Sequence, residues 1–142
     1  MSLTIRLLTS MPNFLLDTNA VIAIFNNDNH TQAVLTESEV FNISVITICE
    51  LNAGAKKSQQ RTFNLERLAD FIARHSVLDC NMQTTDIYGN IVNELRLKGK
   101  PIPQNDMWIA ATAIQYNLML LTNDAHFDQI NLLQRIRWKS LL

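Results

Sequence analysis

Phe14-Leu15-Leu16 is a short apolar run that ends on Asp17, and Ala20 to Phe25 continues as an apolar helical stretch. A strand that hands over to a helix through a carboxylate constrains the chain strongly. In open α/β sheets the edge beyond the carboxyl ends of the strands is where ligands bind. Further strand-like runs recur along the chain. Phe41, Ile43 and Val45 alternate with Asn42 and Ser44, Ser76 to Leu78 is short and apolar, and Leu118 to Leu121 reads as a buried strand. Ile136 to Trp138 is a candidate edge strand.

Helix-length segments lie between these runs. Thr31 to Glu39 reads as a short helix after the polar break Asn26 to Asn29. Thr47 followed by Glu50 matches a capping box, so a helix is expected through Leu51 to about Lys57. Leu65, Leu68 and Ile72 give Arg61 to Arg74 an amphipathic period. Thr84 or Thr85 is expected to cap a helix lined by Ile87, Ile91 and Leu95 and stopped by Gly99. After the stiff Lys100-Pro101-Ile102-Pro103-Gln104 connector, Asn105 is the expected cap of a helix to about Tyr116. That helix is apolar nearly all round and should be central. Strands alternating with helices point to an α/β fold, a central parallel β-sheet flanked by helices.

At 142 residues with 47% hydrophobic content, the chain suits one domain with a substantial core. No apolar run is long enough to span a membrane, and Met1 to Pro12 lacks a signal-peptide core. Residues 1–13 read as an N-terminal extension and residues 14–142 as the folded domain. Cys49 and Cys80 form no CxxC pair, which fits a reducing cytoplasm, and Cys49 reads as a small core residue. The net charge of −1 is unevenly spread, −3 over residues 1–40 and +2 over residues 41–142. If acids neutralise a cation, the remaining surface suits a phosphate-rich substrate. The three glycines make no phosphate-cradling loop.

Four acids fall at strand–helix junctions or helix starts: Asp17, Glu50, Asp106 and Asp124. Each has a structural explanation, since acids cap helices and favour their first turns. As a set they are harder to dismiss. Asp17, Glu50 and Asp124 follow expected strands, and parallel strands place their carboxyl ends on one side. Carboxylates ~4 Å apart repel by about 4 kcal/mol at an effective dielectric of 20, so the cluster calls for a cation. Oxygen-only donors suit Mg²⁺ or Mn²⁺ rather than Zn²⁺.

Leu15-Leu16-Asp17-Thr18-Asn19, Glu50-Leu51 with Gly54, Gly99 to Ile109-Ala110-Ala111, and Leu121-Thr122-Asn123-Asp124 with His126-Phe127 occur in this order. This pattern resembles the PIN-domain ribonucleases, and most closely the VapC-type toxins of bacterial toxin–antitoxin pairs. The resemblance covers residues 14 to 142 and leaves the first ten residues outside the pattern. It implies a three-layer α/β/α fold and a Mg²⁺- or Mn²⁺-dependent endoribonuclease acting on tRNA or rRNA. It also implies a homodimer and a cognate antitoxin that blocks the site. Asp17, Glu50, Asp106 and Asp124 match the family's four acidic positions. On that basis Asp17 and Asp106 are expected as direct metal ligands. Glu50 and Asp124 are expected to ligate a second metal, to bind through water, or to orient the attacking water.

Thr18, Asn19, Asn105, Thr122 and Asn123 neighbour the acids, as caps and turn residues or as groups that orient the ligands. Arg96, Lys98 and Lys100 either complement a helix C-terminus or guide RNA phosphates. His30, His75 and His126 share no metal-ligand spacing; His126, two residues after Asp124, can approach the pocket, but a helix-surface histidine is the preferred reading. Trp108 and Trp138 read as core or dimer-contact residues. Two other functions compete: a non-catalytic RNA- or protein-binding module with a structural cation, and a phosphoryl-accepting domain with Asp17 as nucleophile. The second wants another acid two residues after Asp17, where the chain has Asn19.

Overall fold

The structure is a computed structural model that describes residues 13–27 and 40–138. The expected helix over Thr31 to Glu39 and residues 1–12 of the expected extension lie outside the described residues. Five strands, β1 (Phe14–Leu16), β2 (Asn42–Ser44), β3 (Ser76–Leu78), β4 (Met119–Leu121) and β5 (Arg135–Ile136), form one sheet in the order β3-β2-β1-β4-β5. Every pairing is parallel. The described helices are α1 (Thr18–Phe25), α2 (Val45–Lys57), α3 (Arg61–Arg74), α4 (Met82–Lys98) and α5 (Gln104–Gln115), with a 3-10 turn at Ala125–Gln129.

The pleat of the two central strands builds the three layers. Leu15 and Leu120 pack on one face with Ile91 and Leu95 of α4, Ile109 and Ala113 of α5, and Phe127. Their neighbours Leu16 and Leu121 pack on the other face with Val21 of α1, Phe71 of α3, Ile43 and Trp138. Because β1 and β4 are covered on both faces, they read as unbroken apolar runs rather than alternating ones. Ile109 to Ala113 are all buried, which bears out the expectation of a central last helix. Trp138 is a core residue, and Trp108 stacks on Tyr88 at 4.1 Å between ring centroids.

Several caps differ from expectation. Ser44, the last residue of β2, caps α2 by accepting from Ile46 N–H at 3.1 Å. The strand therefore turns into the helix three residues earlier than the Thr47–Glu50 capping box requires. Glu50 is consequently a residue of the second helical turn and does not follow a strand directly. Asn81 caps α4 in a reciprocal box with Thr84, so Thr84 is the third helical residue rather than the cap. Pro103 occupies the N-cap of α5, whose fixed φ suits a helix entry, and Asn105 sits inside the first turn. Cys49 is exposed rather than buried, because it lies on the outer side of α2. The edge strand lies at Arg135–Ile136, displaced from the expected Ile136 to Trp138.

Gly99 ends α4 as expected, with φ +64° and its N–H bonded to Arg96 and Leu95 carbonyls. A Cβ there meets no neighbour, so only the left-handed backbone opposes it. Gly99→Ala is expected to lower stability by about 1 kcal/mol, read as a shift in the urea midpoint with unchanged slope.

Candidate active site

Strand register places the site. Leu16 pairs with Leu121, so Asp17 and Thr122 both stand one residue past their strands at the carboxyl edge. Asp17 N–H donates to the Leu121 carbonyl at 3.0 Å, extending the ladder one step. Its carboxylate caps α1 through Oδ1, which accepts from Thr18 N–H at 2.7 Å. Oδ2 accepts from the buried Thr122 hydroxyl, also at 2.7 Å. The capping explanation of Asp17 is therefore correct, and it leaves room for a second role.

The two threonines join the acids into one chain of contacts. Thr122 Oγ1, which donates to Asp17, accepts from Asp124 N–H at 3.0 Å. Thr18 Oγ1 donates to Glu50 Oε1 at 3.1 Å and lies 3.2 Å from Thr47 Oγ1. Thr47 is fully buried and, instead of capping α2, braces the turn that carries Glu50. Asp106 arrives from the first turn of α5, and Asp124 caps the 3-10 turn by accepting from His126 N–H at 2.9 Å. Glu50, Asn105, Asp106, Asp124 and His126, with Pro103 and Gln104, line one open cleft of about 520 Å³.

His126 takes the less favoured of its two expected places, beside the acids rather than on a helix surface. Its Nδ1 lies 3.1 Å from Asp106 Oδ2 and 3.2 Å from Asp124 Oδ1, and its side chain is half exposed. The signal in the sequence was its position in the first turn after Asp124. Helical spacing was the wrong template, because a 3-10 turn folds residue i+2 back over its cap.

Burial dominates the electrostatics. Asp17 is 4% exposed. Desolvation raises its pKa from 3.8 to about 6, against the lowering effect of the Thr122 and Thr18 hydrogen bonds, with Asp106 and Asp124 adding repulsion. Burial also raises Glu50, opposed by Thr18 and helped by Asp106. Asp106 is raised by burial, with the His126 hydrogen bond opposing and Asp124 adding repulsion. In all three carboxyls burial is the leading cause, so ionising the set is costly unless a cation offsets it. Thr122→Val keeps the volume but removes the hydroxyl that steadies the Asp17 carboxylate. The variant is expected to raise the Asp17 pKa further and weaken divalent-cation binding at pH 7 by about tenfold, measured by titration calorimetry.

The donor set fits a divalent cation. Asp106, Asp124 and His126 present donor atoms that all lie within 4.8 Å of one another. Asn19, two residues after Asp17, has a buried carbonyl oxygen with no hydrogen-bond partner among the described residues. The phosphoryl-acceptor alternative fits less well. Asp17 is nearly inaccessible and both its oxygens already accept hydrogen bonds, which suits a fixed ligand better than a nucleophile.

Other candidates have local partners. Lys98 Nζ bonds Glu94, the Gln129 carbonyl and Asn131, tying α4 to the loop after the 3-10 turn. Arg96 donates to Asn93. Lys100 is exposed on the connector that leads to Pro103. His75 accepts from Phe41 N–H and stacks beside Phe41 and Phe71, holding β2 rather than any ligand. An apolar groove lined by Ile22, Phe25, Leu51 and Leu68 meets the site through Thr18 and Glu50. No helix among the described residues is long and apolar enough to cross a membrane.

Comparison with known proteins agrees with this geometry. The PIN domain family matches residues 14–133. Ribonuclease VapC2 of Haemophilus influenzae is 33% identical over 136 residues, covering 90% of this chain and 99% of its own. The tRNA(fMet)-specific endonuclease VapC of Shigella flexneri is 35% identical with the same coverage. Among solved structures, DNA-bound VapBC from Salmonella typhimurium superposes with a TM-score of 0.82 at 34% identity, over 90% of this chain and 99% of that one. The acid-lined edge thus sits on the architecture those proteins share, and the chain belongs to the PIN-domain family, among the VapC ribonucleases.

Proposed function

We propose that the chain is the toxin of a toxin–antitoxin pair, an endoribonuclease that hydrolyses RNA phosphodiester bonds with a divalent cation, Mg²⁺ or Mn²⁺. The observation that carries this reading is the hydrogen-bonded run Glu50–Thr18–Asp17–Thr122–Asp124 along the carboxyl edge, with Asp106 facing it. Asp17, Asp106, Asp124 and Glu50 would hold the cation. Such a cation supplies charge neutralisation at the phosphate and makes water more acidic.

The chain's own residues do the remaining work. Thr122 and the Thr18 N–H fix both oxygens of Asp17, so the carboxylate cannot rotate when substrate arrives. Glu50 is held by Thr18 at the side of the cleft, where it can orient the attacking water and accept its proton. Pro103 caps α5 without a side-chain hydrogen bond, and the first turn from Gln104 to Asp106 lines the cleft, where the helix dipole would favour a phosphate. Lys100, exposed on the α4–α5 connector, and Arg96, in the last turn of α4, would guide the RNA backbone.

The relatives' names support tRNA as the substrate class, and the VapBC complexes support an antitoxin as partner. A partner segment lying in the groove beside Glu50 would cover the acid cleft. A homodimer, cytoplasmic location and a single nuclease unit over residues 14–142, with residues 1–13 as an extension, complete the proposal. The test is incubation of end-labelled tRNA and rRNA with the purified chain, with and without EDTA. Discrete cleavage that EDTA stops and Mg²⁺ or Mn²⁺ restores is expected. RNA binding without cleavage in either cation would favour the non-catalytic module.

A further inference from the structure

An oxygen-only ligand set leads to Mg²⁺ as readily as to Mn²⁺, and the structure changes that premise. A nitrogen, His126 Nδ1, stands among the acids at 3.1 Å from Asp106 and 3.2 Å from Asp124. We infer that His126 Nδ1 is a ligand of the cation held by Asp106 and Asp124, and that this nitrogen tilts the site toward Mn²⁺ over Mg²⁺. The inference rests on the metal-dependent reading above and adds a residue and a selectivity to it.

Three observations carry it. The donor atoms of Asp106, Asp124 and His126 lie within 4.8 Å of one another. Neighbouring donors on an octahedral Mg²⁺-sized ion stand ~3.0 Å apart and opposite donors ~4.2 Å, so His126 Nδ1, 3.1 and 3.2 Å from the two acids, is already spaced for a position adjacent to both. Second, the histidine is held in place from both sides. Its backbone N–H donates to Asp124 at 2.9 Å, and the next residue, Phe127, is fully buried in the core. The ring is therefore presented by a short anchored turn rather than by a free loop. Third, the side chain is half exposed, so the ring's other nitrogen can carry the proton while Nδ1 offers its lone pair. Imidazole suits first-row transition ions better than Mg²⁺, which demands oxygen and gives up its water reluctantly. In the absence of a cation the same nitrogen serves the two carboxylates as a hydrogen-bond donor, so the contacts seen here and the ligation proposed use one geometry.

Pulsed electron paramagnetic resonance of the Mn²⁺-loaded protein gives the direct test. Nitrogen-14 modulation of the Mn²⁺ echo is expected in the parent and should vanish in both His126→Ala and His126→Gln. In calorimetric titrations, the preference for Mn²⁺ over Mg²⁺ should fall about tenfold in both variants. Thermal melting by circular dichroism verifies that the variants are folded, and the parent's spectrum tests the inference without any variant. Mn²⁺ that binds with no nitrogen coupling, or an unchanged preference in the variants, overturns the inference and leaves the metal-dependent reading standing. A parent that binds neither cation overturns both.

Discussion

Asp17→Asn is expected to lower RNA cleavage on the order of 10³-fold, the scale of removing a preorganised charged group from a reaction centre. The same variant should be no less stable than the parent at neutral pH when no cation is present. The two outcomes share one cause. The parent carboxyl has a pKa of about 6 when folded and an ordinary value of 3.8 when unfolded. A raised folded pKa contributes stability that is present in full below about pH 3.8 and is lost as pH rises through 6. The difference corresponds to about 3 kcal/mol, as an order of magnitude for a nearly inaccessible group. Metal-free parent protein should therefore lose stability between pH 4 and pH 7, with Glu50 and Asp106 contributing in the same direction. The variant lacks the Asp17 part of that slope. Urea unfolding at pH 4 and pH 7 in EDTA measures it, and saturating Mn²⁺ should flatten the slope more in the parent than in the variant.

Phe127→Ala has the largest expected effect on stability. Phe127 is fully buried, packed among Ile109, Ala110, Leu120 and Ile130, and it anchors the turn that carries Asp124 and His126. Truncating a buried Phe costs about 3–5 kcal/mol, a large share of a typical domain's stability. The loss should appear as a lower urea midpoint. Cation binding by the folded variant should weaken by at least about tenfold, because a loosened turn no longer fixes two donors. Phe63→Ala is the control: Phe63 is 58% exposed on α3, so its truncation should change neither strongly.

Much of the architecture was legible because short runs buried on both faces leave a simple signature. Phe14–Leu16 and Met119–Leu121 were readable as strands, and Arg61–Arg74 as a helix, from apolar spacing alone. Caps were less legible. Thr47, Thr84 and Asn105 are good capping residues, but Ser44, Asn81 and Pro103 sit where the strands and connectors end. Cap position is thus set by where the sheet releases the chain, which local preference does not encode.

The four acids approach one another for partly different reasons than the sequence suggests. Asp17 lies one residue past its strand, as expected, but Glu50 reaches the cleft from the second turn of α2. What brings it near Asp17 is the Thr18 hydroxyl, a contact across 32 positions that no local pattern reveals. Thr18 and Thr122 were only neighbours of acids in the sequence. In the fold they are the groups that connect those acids, and each is specified by strand register rather than by motif. His126, two residues after Asp124, was expected either near the pocket or on a helix surface, with the surface place preferred. Its partners are carboxylates, one of them 20 positions away on α5.

The proposed site requires these side chains to converge on one divalent cation at the carboxyl edge of the sheet. Anomalous diffraction from a Mn²⁺-soaked crystal tests it most directly. A strong peak is expected in the cleft, within coordinating distance of Asp106 and Asp124 and adjoining Asp17. A fully soaked crystal with no peak there, or with its only peak on another face, would contradict it.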